Sequence, residues 1–240
     1  MIKDHRPYYM KKLYYRLQDM YVNHLIKPQF TSLGKGHQFI RPWNMEVIGE
    51  PIVVGKHAYM MGEQGNKIKL VIWSANEDFG KITIGDYCLV SPGVRITSAH
   101  EIRLGNNCML AKGAYITDAD WHGIYDRVES IGDTAPVILE DNVWIGDSAI
   151  VCKGVTIGEN SIIGAGSIVT HDIPPNSIAV GNPAKVVKEL DPTLQFTKRQ
   201  KMFENPKQLA MNMDSFDKHF LKGNTTLGWL RSILFPRKGD

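Results

Sequence analysis

The sequence predicts an all-β core, a parallel β-helix, with a helical appendage at each end. Three observations carry this. From Leu139 to Val169 an aliphatic residue falls on every sixth position: Leu139, Ile145, Val151, Ile157, Ile163 and Val169. Four residues after each of the first five stands something small or β-branched: Val143, Ala149, Val155, Ser161 and Ser167. The hexads are missing at both ends, where the apolar spacing becomes helical. A period of six fits neither an α-helix nor a simple strand. It fits a three-sided coil in which each side is a short strand and each corner a tight turn.

Residues 1–30 read as a helical segment. Leu13, Leu17, Met20, Tyr21, His24 and Leu25 recur at steps of three and four over residues 6–26, and Pro28 ends the pattern. Residues 31–80 read as an early coil with irregular strands. Ile48, Val54 and Met60 make a weak set of anchors with Ile52 and Ala58 in the small slots, and residues 68–73 are strand-like.

Residues 81–190 read as the main β-helix. Ile84, Val90 and Ile96, then Leu104, Leu110 and Ile116, repeat the phase, with Cys88, Val94, Cys108 and Ala114 in the small inward slots. Three hexads make one coil of 18 residues. Stacked coils pair their strands about 4.8 Å apart. Gly, Asn and Asp after the anchors suit left-handed corners.

Two breaks in phase stand out. From Ile96 to Leu104 two residues are extra, and from Ile116 to Leu139 there are 23. A long excursion from a rigid coil is usually functional. This loop, residues 117–136, carries Trp121, His122, Asp126 and Arg127. Asp126 and Arg127 would pair across it.

Residues 191–240 read as a C-terminal helical extension. Its tail places Leu227, Leu230, Ile233 and Leu234 on one helical face beside Arg231, Arg237 and Lys238. Such a segment either lies on a membrane surface or packs on the prism.

The 240 residues carry a net charge of +3, unevenly distributed. Residues 1–30 and 218–240 each carry +4, so the middle carries −5. Basic ends flanking an acidic body point to an anionic surface, or to solvated helix faces. No nucleic-acid partner is expected. Three cysteines are too few for a disulfide framework and fit a reducing compartment. Cys88 and Cys108 should be core, and Cys152 more exposed. No signal peptide is expected, and no run is long enough to span a bilayer. The expected location is cytoplasmic, with the inner face of the membrane as the further option.

From Asn142 to Val187 the chain reads NVWIGDSAIVCKGVTIGENSIIGAGSIVTHDIPPNSIAVGNPAKVV. This stretch closely resembles the hexapeptide-repeat acyltransferases, in particular maltose and galactoside O-acetyltransferases and sugar O-acetyltransferases of surface polysaccharide synthesis. The resemblance is strong over residues 81–188, loose over 40–80 and absent from 1–30 and 191–240. It implies a left-handed β-helix, against the usual right-handed rule for parallel crossovers. It also implies a homotrimer with acetyl-CoA lying between neighbouring prisms.

On this resemblance His122 takes the place of the family's catalytic histidine. Trp144 matches the tryptophan that packs on the pantetheine arm, and Asp147 the residue whose backbone N–H lies near the thioester. Gly164, Ala165 and Thr170 map to the pantetheine and adenine strip. Lys185 and Lys188 map to basic residues that meet the coenzyme phosphates, while His171 replaces a frequent lysine. On the acceptor side, Ser91 stands where galactoside enzymes have an asparagine, and Ser98 and Ala99 where they have paired aspartates. Asp118 and Asp120 are the polar groups left to contact the acceptor.

The chemistry suits these groups. A neutral histidine can take the proton of an attacking hydroxyl. A backbone N–H can stabilise the oxyanion, and lysines can meet the phosphates. The thioester is already activated, so direct transfer without an acyl-enzyme is expected. The leading reading is an acetyl-CoA-dependent O-acetyltransferase acting on a saccharide or other small hydroxyl acceptor. The alternatives are N-acetylation of an amino-sugar nucleotide and a non-catalytic scaffold. A zinc-dependent carbonic anhydrase of the same fold needs three histidines. His57, His100, His122 and His171 lack ligand spacing, so no metal is expected.

Overall fold

The structure is a computed structural model that describes residues 4–73, 80–191 and 193–238. The remaining residues lie outside the description. They include the outermost ends of the two expected helical segments and part of the stretch expected to be irregular.

The strands coil around a three-sided prism. The first coil holds β1 (Ser32–Leu33), β2 (Gln38–Ile40) and β3 (Met45–Ile48). The second holds β4 (Ile52–Val54), β5 (Tyr59–Met61) and β6 (Ile68–Ile72). The third holds β7 (Ile82–Ile84), β8 (Leu89–Val90) and β9 (Arg95–Ser98). The fourth holds β10 (Ile102–Leu104), β11 (Met109–Leu110) and β12 (Tyr115–Thr117). The loop follows, then β13 (Val137–Leu139), β14 (Trp144–Ile145) and β15 (Ile150–Val151). The sixth coil holds β16 (Thr156–Ile157), β17 (Ile162–Ile163) and β18 (Ile168–Val169). Each face is a parallel sheet with one strand from every coil. On the second face β19 (Ser177–Gly181) extends the sheet, and β20 (Ala184–Glu189) turns back antiparallel to close it.

Why the hexads do this is visible in the register. Ile84, Leu104, Leu139 and Ile157 stack in one column, Val90, Leu110, Ile145 and Ile163 in another, and Ile96, Ile116, Val151 and Val169 in the third. All are at most 1% exposed. Burying each such side chain stabilises the fold by about 1.5–3 kcal/mol. Ala58, Cys88, Cys108, Val143 and Ser161 fill the space left at one corner, and all are buried. Ser161 can be there because its hydroxyl donates to the Pro174 carbonyl at 2.8 Å.

The corners use the residue types expected. Tyr87, Asn107, Asn142, Asn160 and Asn176 all have φ between 55° and 62°. At Asn142, Asn160 and Asn176 the side-chain amides form a ladder, with donor–acceptor distances of 3.0 and 2.9 Å. Gly146 answers a different need. A Cβ there would stand 2.6 Å from the Ala165 nitrogen, so the coils could not approach.

Residues 31–73, within the stretch expected to hold irregular strands, are more regular than that, since they supply two complete coils. The anchor expected at Ile48 is misplaced. In β3 the inward residues are Met45 and Val47, and Ile48 is half exposed. The β3–β6 register pairs Val47 with Leu70, the true anchor of the second coil. Cys88 and Cys108 are buried and Cys152 is partly exposed. The Cys88 thiol is pushed up by hydrogen bonding to Cys108 and by burial.

The chain divides into two compact units, residues 22–200 and residues 1–21 with 201–240. The two ends, expected as separate appendages, therefore form one body. It contains α1 (Tyr8–Tyr21), α2 (Pro206–Phe220) and α3 (Thr226–Leu234). Asn205 caps α2 by accepting from the Gln208 N–H, and Thr225 caps α3 by accepting from Gly228. Lys11 pairs with Asp217 at 2.8 Å, and Asp214 receives Lys12, the Tyr8 hydroxyl and Lys218. These donors, Lys12 first, hold the Asp214 carboxyl well below the usual carboxylate range. The periodicity located α1, and its apolar set is not the covered side. Leu13, Leu17 and Met20 are about half exposed, whereas Gln18 is buried. Residues 22–29 continue as a π-helical and then a 3₁₀ turn within the prism unit, where Val22 and Ile26 are buried.

Candidate active site

The loop between the fourth and fifth coils is a built structure. Its stem is antiparallel, with a bridge between Ala119 and Thr134. Asp120 N–H donates to the Asp133 carbonyl at 2.9 Å, and Gly132 N–H to the Asp120 carbonyl at 2.8 Å. The Asp120 carboxylate also pairs with Lys153 of the fifth coil, tying the stem to the prism. Trp121 donates its indole N–H to Thr117 Oγ1 at 3.1 Å.

His122 sits at the exposed tip side of this stem. Its Nδ1 lies 3.3 Å from the Glu129 carbonyl oxygen. A carbonyl only accepts, so Nδ1 is the donor in this contact, and in the neutral imidazole Nε2 is then the nitrogen that can accept. The loop crosses itself here. A Cβ on Gly132 would stand 2.5 Å from the His122 carbonyl oxygen, and one on Gly123 would meet the Asp126 carbonyl oxygen at 2.5 Å. Glycine at both positions lets the chain fold back on the histidine. Asp126 does not reach across to Arg127. Its carboxylate accepts from Val128 N–H at 2.9 Å and shapes its own turn.

Asp118 departs from the expected acceptor role. It is fully buried. Its oxygens accept from the Ser98 hydroxyl at 2.6 Å, Ala99 N–H at 2.7 Å and His100 N–H at 2.9 Å. Ser98 is equally buried. The two side chains are spent on each other and on the two-residue phase break, so in this geometry neither faces a bound acceptor. Asp120 is partly exposed but engaged with Lys153. Partial burial, and then the Asp120 carboxylate, push the adjacent Cys152 thiol up. His100, half-buried, has Nδ1 3.2 Å from Thr134 Oγ1 and so touches the opposite strand of the stem.

The expected coenzyme residues occupy another edge. Trp144 is half exposed on the second face, between Met109 and Ile162 in the ladder. After it the chain turns at Gly146 and Asp147, and one coil later at Gly164 and Ala165. Backbone hydrogen bonds stack Ser91, Ala111, Gly146 and Gly164 in one column along this corner. Asp147 is exposed, and its carboxylate accepts from the Ser148 hydroxyl at 2.7 Å. A Cβ on Gly164 would meet Val180 Cγ1 at 2.6 Å. Lys185 and Lys188, both exposed on β20, lie opposite Val180 and Ile178. Ser91, expected on the acceptor side, is thus at this corner and away from His122. Thr170 follows β18 on the other side of the third face, where its hydroxyl meets His171 Nδ1 at 2.9 Å.

Within one chain, then, the residues fall into two groups. His122, Asp118, Asp120, Ser98 and Thr170 cluster where the third face ends. Trp144, Asp147, Gly164, Ala165, Lys185 and Ser91 cluster where the second face ends. One strand and its corner, the step from Gly164 to Thr170, separate them, at most about 20 Å at about 3.3 Å per residue. Among the described residues no group of three metal-ligating side chains comes together.

Comparison with known proteins fits this geometry. Residues 136–171 match the family model described as bacterial transferase hexapeptide (six repeats). The galactoside O-acetyltransferase of Escherichia coli is 36% identical over 169 residues, 70% of this chain and 68% of that protein. A Schizosaccharomyces pombe protein with a provisional acetyltransferase name is 41% identical over 117 residues. That match covers 48% of this chain and 54% of the relative, so it spans about half the relative's length. Among solved structures, a mutant of AntD, an N-acyltransferase from Bacillus cereus bound to dTDP and coenzyme A, superposes with a TM-score of 0.52. It is 20% identical and covers 80% of this chain and 97% of that one, a likeness of fold. Fold and repeats together define a left-handed β-helix transferase of the hexapeptide class. More narrowly, the chain belongs to the hexapeptide-repeat acetyltransferase family that includes the E. coli galactoside enzyme.

Proposed function

We propose that this protein transfers an acetyl group from acetyl-CoA to a hydroxyl of a saccharide or related small acceptor, with His122 as general base. The observation that carries the reading is the hold on His122. The loop folds back so that Nδ1 meets the Glu129 carbonyl, which in the neutral imidazole would leave Nε2 to take a proton. In the reaction the acceptor oxygen attacks the thioester carbonyl carbon as Nε2 removes its proton. The C–S bond then breaks, and the departing thiolate takes that proton back from His122 Nε2, which restores the neutral base. The backbone N–H of Asp147 would face the oxyanion, Trp144, Gly164, Ala165 and Thr170 would line the pantetheine and adenine path, and Lys185 and Lys188 would meet the phosphates.

The division of the site between two corners supports assembly as a homotrimer, in which one prism's histidine corner faces another's coenzyme corner. The outward column of the second face supports it too. Tyr59, Leu89, Met109, Trp144, Ile162 and Ile178 form a continuous apolar ridge there. The first face instead presents Thr83 and Arg103 at two of these levels. Light scattering should report about three times 27.0 kDa, and a fully active monomer would remove the shared cleft from consideration.

The acceptor differs from a galactoside in this reading, because Ser91, Ser98 and Ala99 stand where galactoside enzymes carry amide and carboxylate side chains. A screen of sugar alcohols, glycosides and amino-sugar nucleotides with acetyl-CoA, followed by free thiol release, tests the proposal. Release with hydroxyl acceptors supports it, and release with amines alone would move the assignment to N-acetylation. We place the protein in the cytoplasm, which keeps three free thiols reduced, with its helical unit toward the inner face of the bounding membrane.

A further inference from the structure

The helical unit, residues 1–21 with 201–240, holds twelve Lys or Arg against six Asp or Glu, a net +6. The prism unit carries −3. From Lys218 to Lys238 there are five basic residues and no acidic one. Within that stretch α3 and its end present Leu227, Leu230, Ile233, Leu234 and Phe235, which are between 42% and 80% exposed. Arg231, Arg237 and Lys238 accompany them in sequence.

A second apolar stripe adjoins this one. On α1 Tyr9, Leu13, Leu17 and Met20 are spaced to fall on one side, and each is about half exposed. The Tyr9 hydroxyl hydrogen-bonds Thr226 Oγ1, so the first residue of α3 abuts the start of the α1 stripe. The opposite side of α1 is committed to α2 through Lys11–Asp217 and Lys12–Asp214. Apart from Tyr9, which joins α3, the α1 stripe lies away from the Lys11–Asp217 contact with α2.

From this combination we propose that α1 and α3 form a docking surface for an anionic lipid bilayer. Apolar side chains enter the headgroup boundary, and the basic residues of 222–238 meet lipid phosphates, Lys218 being paired with Asp214. The charge argues for lipid over a second copy of the chain, because two surfaces of this net charge repel each other. The dimensions argue for a helix lying in the interface. Nine residues at about 1.5 Å each cannot cross about 30 Å of hydrocarbon, and no described helix is long and apolar enough to do so. A basic, amphipathic helix of this kind binds through apolar burial plus attraction to anionic lipid.

The proposal rests on the location given above and not on the chemistry of His122, so its test reads binding alone. The full chain is sedimented with vesicles of phosphatidylcholine, with and without about one-third phosphatidylglycerol, at low and high salt. Binding is expected to the anionic vesicles and to fall about tenfold or more as salt rises toward 1 M, where screening shortens to about 3 Å. The pair Leu230→Glu and Ile233→Glu should lower it by a similar factor while the circular dichroism and oligomer mass stay unchanged. Three results would overturn the proposal. These are no binding to anionic vesicles at low salt, equal binding to neutral vesicles, or dissociation of the oligomer by the paired substitution, which would make the occupant a second copy.

Discussion

Replacing His122 by alanine is expected to lower the rate of acetyl transfer by about 10²–10⁴-fold, the usual loss when a positioned base is removed. Coenzyme A binding should be nearly unchanged, because the coenzyme residues apart from Thr170 lie at another corner of the prism. The distinction matters, since a loop that simply collapsed would disturb both. Here the stem is held by the Asp120–Asp133 and Gly132–Asp120 backbone bonds and by Lys153, none of which involves the imidazole. The variant should therefore keep its fold and its oligomer. Turnover at the wild-type rate with a good acceptor would place the base elsewhere. His100 is the next group to test, because its ring touches Thr134 on the same stem.

Much of this was legible in the residues. The hexads specify which side chains point inward, and a six-residue step repeated without a break allows one register. That is why the coils from Ile82 onward match expectation, and why the loop that carries His122 could be located from the one long interruption. Legibility fails where the repeat loosens. In β3 the apolar run Met45, Val47 and Ile48 offers two phases, and only pairing with β6 selects Val47. On α1 the spacing of Leu13, Leu17 and Met20 identifies a helix but not which side is covered. Ion pairs to Asp214 and Asp217, more than 200 residues away, orient it instead. Nor could spacing show that the two chain ends form one unit, because no local signal reports contacts between distant segments.

Asp118, expected on the acceptor side, stands buried with three donors on its carboxylate, and its substitution should be costly. Changing Asp118 to alanine leaves the Ser98 hydroxyl and the Ala99 and His100 N–H groups buried without their acceptor. Each such loss costs about 1–3 kcal/mol, and neighbouring losses do not add fully. A total of roughly 3–5 kcal/mol is expected in denaturant unfolding, in the range seen when a buried charged group loses its network. Asparagine should lose less, because one oxygen survives to serve Ser98 and His100 while the amide opposes the Ala99 N–H. Activity of the folded fraction should fall as well, since Asp118 fixes the point at which the loop bearing His122 leaves the prism. A stable alanine variant, within about 1 kcal/mol of wild type and altered only in its KM for the acceptor, would return Asp118 to the acceptor side. Loss of stability together with an unchanged acceptor KM in the asparagine variant would establish it as the brace beneath the loop.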